Sequence, residues 1–428
     1  MLLPSCGAQL LPNQRLFDLG LSAWNRLKSS LMTTGTLKPL GFVLTTVSLL
    51  WIPMAQAAPP MITGFKLIGP DSSLNIQNEP GAGTQIQFCT NLMLNSWTVL
   101  TNFAMAESNY FFVDAGRPAS SQRFYRLLAF SPNVPVGMKL VPGGSFLMGD
   151  TFNEGDPGEL PAHTVYVSAF YMETKLVTGD VWNTVYQWST NHAYSLWTPN
   201  YAKAPTYAHP VLTGPDNAVR WCNARSEMEG LTPCYYKDPA QTIVSRDPYD
   251  AISNACVKWT ANGYRLPTEA EWEKAARGGM NGKRFPWGDI ITHAYANYYS
   301  TNLYAYDVSS TRGFHPTFQD GDSVGVFTSP VTHFNPNGFG LYDMCGNVRQ
   351  CCWDVYSDTY YNSSPAADPH GPDGDSPSRV GRSTSWGSPG SGLFAVDARR
   401  GRCSARSPIL APPGFEPAVP GFRCVRRF

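Results

Sequence analysis

The chain is 428 residues long and carries 32 acidic and 32 basic side chains, so its formal net charge is zero. With no basic run before the closing Arg426-Arg427-Phe428, nucleic acid and anionic membrane are poor partners for it. Only 15% of residues are charged, against 38 Gly, 36 Pro, 12 Trp and 21 Tyr. Such a composition excludes a fold dominated by charged helical surfaces and implies a loop-rich, aromatic-packed one.

In chain order, the first feature is a segment starting at Met32: Lys38 as a positive n-region, an apolar run from Pro39 to Ile52, and the small-residue site Ala55-Gln56-Ala57. That is the build of a cleaved export signal, too short to span a membrane. Translation is expected to begin at Met32, and residues 1–57 are set aside from the fold. The expected location is therefore periplasmic, cell-surface or extracellular. Removing the signal also removes Cys6 and leaves nine of the ten cysteines, an odd number, so at least one thiol is free or paired between chains.

Residues 60–132 contain "TQIQFCTN", "SWTVLTNF", "NYFFVDA" and "RFYRLLAF", short runs with period-2 alternation that predict a small antiparallel β module. "SPNVPVG", Ser131 to Gly137, is a Pro-rich junction, and a second domain is expected over 135–428. In it, "HTVYVSAFYMETKLVT" alternates like a strand, Val181, Val185 and Trp188 have helical spacing, and Asp216 to Gly230 reads as a helix with a glycine stop. The clearest helix is in "NGYRLPTEAEWEKAARGG", where Thr268 and Glu271 form a capping box and Gly278-Gly279 ends the run. Glu269, Glu271 and Glu273 are expected to serve capping and solvation there rather than acid–base catalysis. From Phe285 to Phe428 no long periodic segment occurs, which predicts loops and short strands.

"CGNVRQCCWDVY", Cys345 to Tyr356, places three thiols within eight residues. Zinc is a poor account, since adjacent Cys351 and Cys352 cannot both face one tetrahedral ion. Disulfides suit an exported chain better. Cys234 and Cys256 flank a predicted hairpin and are expected to bridge, and one further bridge is expected among Cys345, Cys351, Cys352 and Cys403, with pairing unassigned and Cys89 left over.

"GGSFLMG", "ELPAHTVYVSAFYM", "RLPTEAEWEKAARGG", "FPWGD", "SPVTHFNPNGFGLYDMCGNV" and "PGFRC" follow one another from Gly143 to Cys424. Together they resemble the formylglycine-generating enzyme family, also called sulfatase-modifying factor proteins. The resemblance implies an irregular, loop-rich α+β fold related to C-type lectins, with bound calcium. Active members hold Cu(I) between two thiolates and use O₂ to oxidise a cysteine in a Cys-x-Pro-x-Arg peptide. Linear sulfur coordination suits Cu(I). The branch that binds iron through histidines is not implied, because His163, His192, His209, His293, His315, His333 and His370 include no His-x₃-His pair.

Aligned by this resemblance, the family's second copper cysteine falls on Cys403 and the first on Ala398. Cys403 is thus the one candidate catalytic residue, and copper is doubtful. Arg349 takes the place of a tryptophan bordering the site, and "RSTSW", Arg382 to Trp386, replaces two glycines with Ser383 and Thr384. Arg406, Arg349 and Trp386 are the implied partner-binding residues, with a structural ion pair as the alternative for Arg406. One implied calcium set is Asp343, Gly346, Val348 and Gln350, the last replacing a glutamate and so weakening the site. The other is Asn297, Tyr298 and Asp322. The resemblance also pairs Cys222 with Cys424. Trp287, Trp353 and Trp386 are expected to fill the core, and His333 to lie on the surface. Two functions stay open: a binding protein on a degraded active site, presenting an aromatic face to a peptide or glycan, and a copper oxidase acting on sulfatases.

Overall fold

A computed structural model describes residues 61–68, 71–77, 83–89, 98–104, 109–114, 123–130, 134–199, 208–318, 328–374, 378–387, 397–409 and 420–428. The expected export signal and start at Met32 lie outside the described residues.

The first six strands are β1 (Met61–Ile68), β2 (Asp71–Gln77), β3 (Gly83–Cys89), β4 (Thr98–Ala104), β5 (Asn109–Asp114) and β6 (Phe124–Phe130). They form two antiparallel three-stranded sheets, ordered β1-β2-β5 and β4-β3-β6. Alternation is visible in β5, where Tyr110 and Phe112 turn inward and Phe111 and Val113 stay exposed. The inward side chains meet Leu74, Ile76 and Ile86 in a small apolar core.

The remaining strands are short. They are β7 (Met138–Val141), β8 (Gly144–Met148), β9 (His163–Val167), β10 (Phe170–Glu173), β11 (Gln350–Val355), β12 (Arg379–Arg382), β13 (Arg406–Ile409) and β14 (Val425–Arg427). They build a β14-β10-β7 sheet, a β11-β12-β13 sheet and a β8-β9 pair. Among the described residues three helices accompany them: α1 (Gly179–Ser189), α2 (Pro215–Met228) and α3 (Glu269–Arg277). The fold is the expected mixed, loop-rich one. Trp182 of α1 stacks on Trp221 of α2 at 5.6 Å between rings, and Phe422 closes edge-on against both.

Helix α3 begins at the predicted capping box. Thr268 Oγ1 accepts from the Glu271 backbone N–H, Glu271 Oε2 accepts from the Thr268 N–H, and Gly278 ends the helix at φ +57°. The expectation of solvated acids is corrected: every residue of Glu269–Arg277 is buried. An acid enclosed on all sides must find a cation. Glu271 pairs with Arg265, Glu273 with Arg277 and Arg382, and Glu269 with Arg382 and Arg406. Trp353 lies in the core, Trp287 and Trp386 are half-buried against it, and His333 is exposed.

Candidate functional site

The β11-β12-β13 sheet gathers segments that the sequence holds far apart. Gln350 lies opposite Arg382, and Arg382 opposite Arg406. The sheet therefore joins the Cys345–Tyr356 stretch, the "RSTSW" stretch and the segment through Cys403. Just before Cys403, Asp397 caps a short 3₁₀ turn, Ala398–Gly401, by accepting from the Arg399 N–H at 3.1 Å.

Cys403 is buried in an apolar cluster with Ala270, Trp272, Ala275 and Ala276. Burial pushes its thiol up to about 12, against the opposing charge of Arg277, so it is protonated at neutral pH. A copper ligand is a thiolate, so this burial works against Cys403 as one. Ala398 packs in another cluster, with Phe285, Ile291, Ala296, Tyr298 and Cys345. Cys345 is thus the sulfur beside this turn: a Cβ added to Gly401 would meet Cys345 Sγ at 2.8 Å.

Alternation along β11 explains the other two thiols of the opening cluster. Cys351 turns toward Trp221 and Trp353, whereas Cys352 turns to the opposite cluster, with Cys403. Three cysteines close in sequence therefore point into three cores. The eight cysteines from Cys222 onward are all free and buried, so the bridge expected among Cys345, Cys351, Cys352 and Cys403 is not formed. No group of three metal-ligating side chains occurs among the described residues. Cys222 and Cys424 are brought together, as free thiols with sulfurs 3.6 Å apart. Cys234 and Cys256 also stay free. The Cys234 carbonyl accepts from Lys258 and the Cys256 carbonyl from Tyr236, so the two are diagonal across the ladder, and diagonal side chains sit wider than a disulfide spans.

Arg406 takes the structural alternative. Its Nε and Nη2 hold Glu269 Oε1 and Oε2 at 2.6 and 2.8 Å, and Nη1 reaches the Gly158 and Ser357 carbonyls at 3.0 and 2.6 Å. Four of the five N–H bonds of that guanidinium are thus used within the fold. Trp386 keeps one edge open while its backbone N–H donates to the Asn347 carbonyl at 3.0 Å. Arg349 is buried, and its Nη2 donates to Ser407 Oγ at 2.6 Å and the Pro408 carbonyl at 3.0 Å. Burial and the like charge of Arg400 lower its pKa to about 10.

The implied calcium sets fit unevenly. Asp343 Oδ2 is buried with no hydrogen-bond partner, and burial raises that carboxyl to about 7, opposed by Arg423. Gly346, at φ +84°, has the Asn297 carbonyl 2.8 Å from where a Cβ would stand, so only glycine serves there. Its N–H donates to Ser383 Oγ at 2.9 Å. Gln350 does not fit. Its Oε1 accepts from Trp272 Nε1 and Arg423 Nε at 2.9 and 2.8 Å, while its Nε2 donates to the Asp343 carbonyl at 2.6 Å. A glutamine thus turns an N–H toward the set where an oxygen ligand is required. In the second set, the Tyr298 carbonyl accepts from His293 Nε2 at 3.1 Å and the Asn297 carbonyl from the Asn347 N–H at 2.8 Å. Asp322 lies outside the described residues. The sequence reading missed Asp307, a buried acid that accepts from the Tyr298 hydroxyl at 2.7 Å and pairs with Arg312. It also missed the Arg382–Glu273 pair, whose partners lie 109 residues apart and leave no local signal.

A domain described as sulfatase-modifying factor enzyme 1-like matches residues 129–428. A formylglycine-generating enzyme of Streptomyces coelicolor is 35% identical over 272 residues, covering 60% of this chain and 81% of that protein. A protein of the same title from Thermomonospora curvata is 30% identical over 305 residues, 68% of this chain and 93% of the relative. Among solved structures, that of CarF aligns with a TM-score of 0.49 at 24% identity, over 69% of this chain and 99% of the other.

Proposed function

The chain belongs to the sulfatase-modifying factor family, whose domain spans residues 129–428, and from that premise we propose a member that binds a protein or peptide without oxidising it. The observation that carries the reading is the state of the thiols around the Ala398–Gly401 turn. A Cu(I) oxidase needs two thiolates in register, because a soft monovalent ion is held by linear sulfur coordination. Here one aligned position is a methyl group packed on Phe285 and Tyr298, and the other is a sealed thiol whose pKa is about 12. One sulfur offers no chelation, and a buried thiol gives up its proton reluctantly. The loops beside Trp386 and Arg349 then serve as the face that meets the partner, a peptide segment in this reading and a glycan in its variant. The meeting takes place after export, once residues 1–57 are cleaved. No helix among the described residues is long and apolar enough to cross a membrane.

The oxidase reading has one specific support, the 35% identity to a protein titled formylglycine-generating enzyme. One experiment separates the two. The exported chain is incubated with Cu(I), O₂ and a Cys-x-Pro-x-Arg peptide, and thiol loss and aldehyde gain are followed by mass spectrometry. Binding alone predicts no aldehyde and no stoichiometric tight Cu(I). Turnover that Cys403→Ser abolishes would overturn the proposal.

A further inference from the structure

Most buried arginines in this domain are held by carboxylates. Arg382 has Glu269 and Glu273, Arg402 has Glu159, Arg406 has Glu269 and Arg400 has Asp156. Arg220 and Arg423 lack an ion pair among the described residues but have acids close enough to support their charge, Asp216, Asp247 and Asp250 for the first and Asp343 and Glu173 for the second; Arg349 has none. It is 8% exposed, yet it makes no ion pair among the described residues. The charged group that bears on it is Arg400, another cation.

The guanidinium is nevertheless fixed. Both hydrogen bonds from Nη2, to Ser407 Oγ and the Pro408 carbonyl, fall on β13. Glycine at 381 makes the room, since a Cβ there would lie 2.7 Å from Arg349 Nη2. Nε and Nη1 carry three further N–H bonds with no acceptor among the described residues, and neither atom is sealed from solvent. The Ser407 hydroxyl, having accepted from Arg349, still has its own proton to donate. A desolvated cation with a free donor edge is a receptor for an anion.

We infer that Arg349, seated on Ser407 and Pro408, recognises a carboxylate, that of an acidic side chain on the partner peptide. The identity of the partner rests on the binding reading above; the anion site does not. The test follows the melting midpoint of the exported chain in sodium acetate and in sodium chloride at matched ionic strength. It then compares two blocked tripeptides, N-acetyl-Gly-Glu-Gly-amide and N-acetyl-Gly-Gln-Gly-amide. Acetate is expected to raise the midpoint saturably where chloride does not. Arg349→Gln is expected to weaken the acetate response at least tenfold. Should that variant not fold, Ser407→Ala, which keeps the charge, is expected to weaken the response severalfold. A wild-type response to acetate no larger than to chloride overturns the inference, as does an Arg349→Gln response equal to wild type. A response to acetate but to neither peptide leaves the anion site standing and sinks the peptide reading instead.

Discussion

Two neighbouring places at one end of the β11-β12-β13 sheet treat a buried arginine in opposite ways. Beneath α3, Arg382 and Arg406 share Glu269 and Glu273 in a closed ionic layer with bond lengths of 2.6–2.9 Å. Where β11 begins, Arg349 lies against a hydroxyl, a carbonyl and another cation. The difference teaches where to look for recognition: a guanidinium whose donors are used inside the chain holds the fold, and one with N–H bonds left over is the place to test for a partner.

Three measurements break or sharpen that contrast. Arg382→Met strands Glu273 beside Arg277 alone, and breaking one side of a buried pair is expected to cost about 3–5 kcal/mol in denaturant unfolding. A loss below about 1 kcal/mol would mean the layer is not structural. Asp354, whose carboxylate accepts the Glu269 N–H, supplies the next. Burial first, and the charge of Glu269 second, raise its pKa to about 8. Its folded pKa exceeds the unfolded one near 4, so its stabilising contribution is complete below about pH 4. That contribution falls as pH climbs and is gone above about pH 8. Asp354→Asn should flatten this slope, worth on the order of 2–4 kcal/mol between pH 5 and 8. An unchanged slope would remove Asp354 from the layer. Arg349→Met should move stability least, within about 1 kcal/mol, because it strands no buried charge and takes hydrogen bonds only from the Ser407 hydroxyl and the Pro408 carbonyl. A loss as large as that of Arg382→Met would place Arg349 with the structural arginines.

Helix α3 was legible because its signals are local, from Thr268 and Glu271 at one end to Gly278 at the other. The six strands of 61–130 were legible as a β module because alternation is a property of neighbours in sequence. The burial of Glu269 and Glu273 was not, since Arg382 and Arg406 arrive from 109 to 137 residues away. Adjacent thiols misled for a related reason: spacing along β11 cannot tell which of Cys351 and Cys352 meets which core.

By itself, the order of the family segments from Gly143 to Cys424 determined the fold, and the alanine at 398 removed one aligned sulfur. Only the tertiary structure decided that Cys403 is sealed, that Arg406 is spent on Glu269, and that Arg349 keeps an open edge. A residue's identity travels with the chain. Its protonation and its remaining hydrogen-bonding capacity depend on which distant groups displace its water.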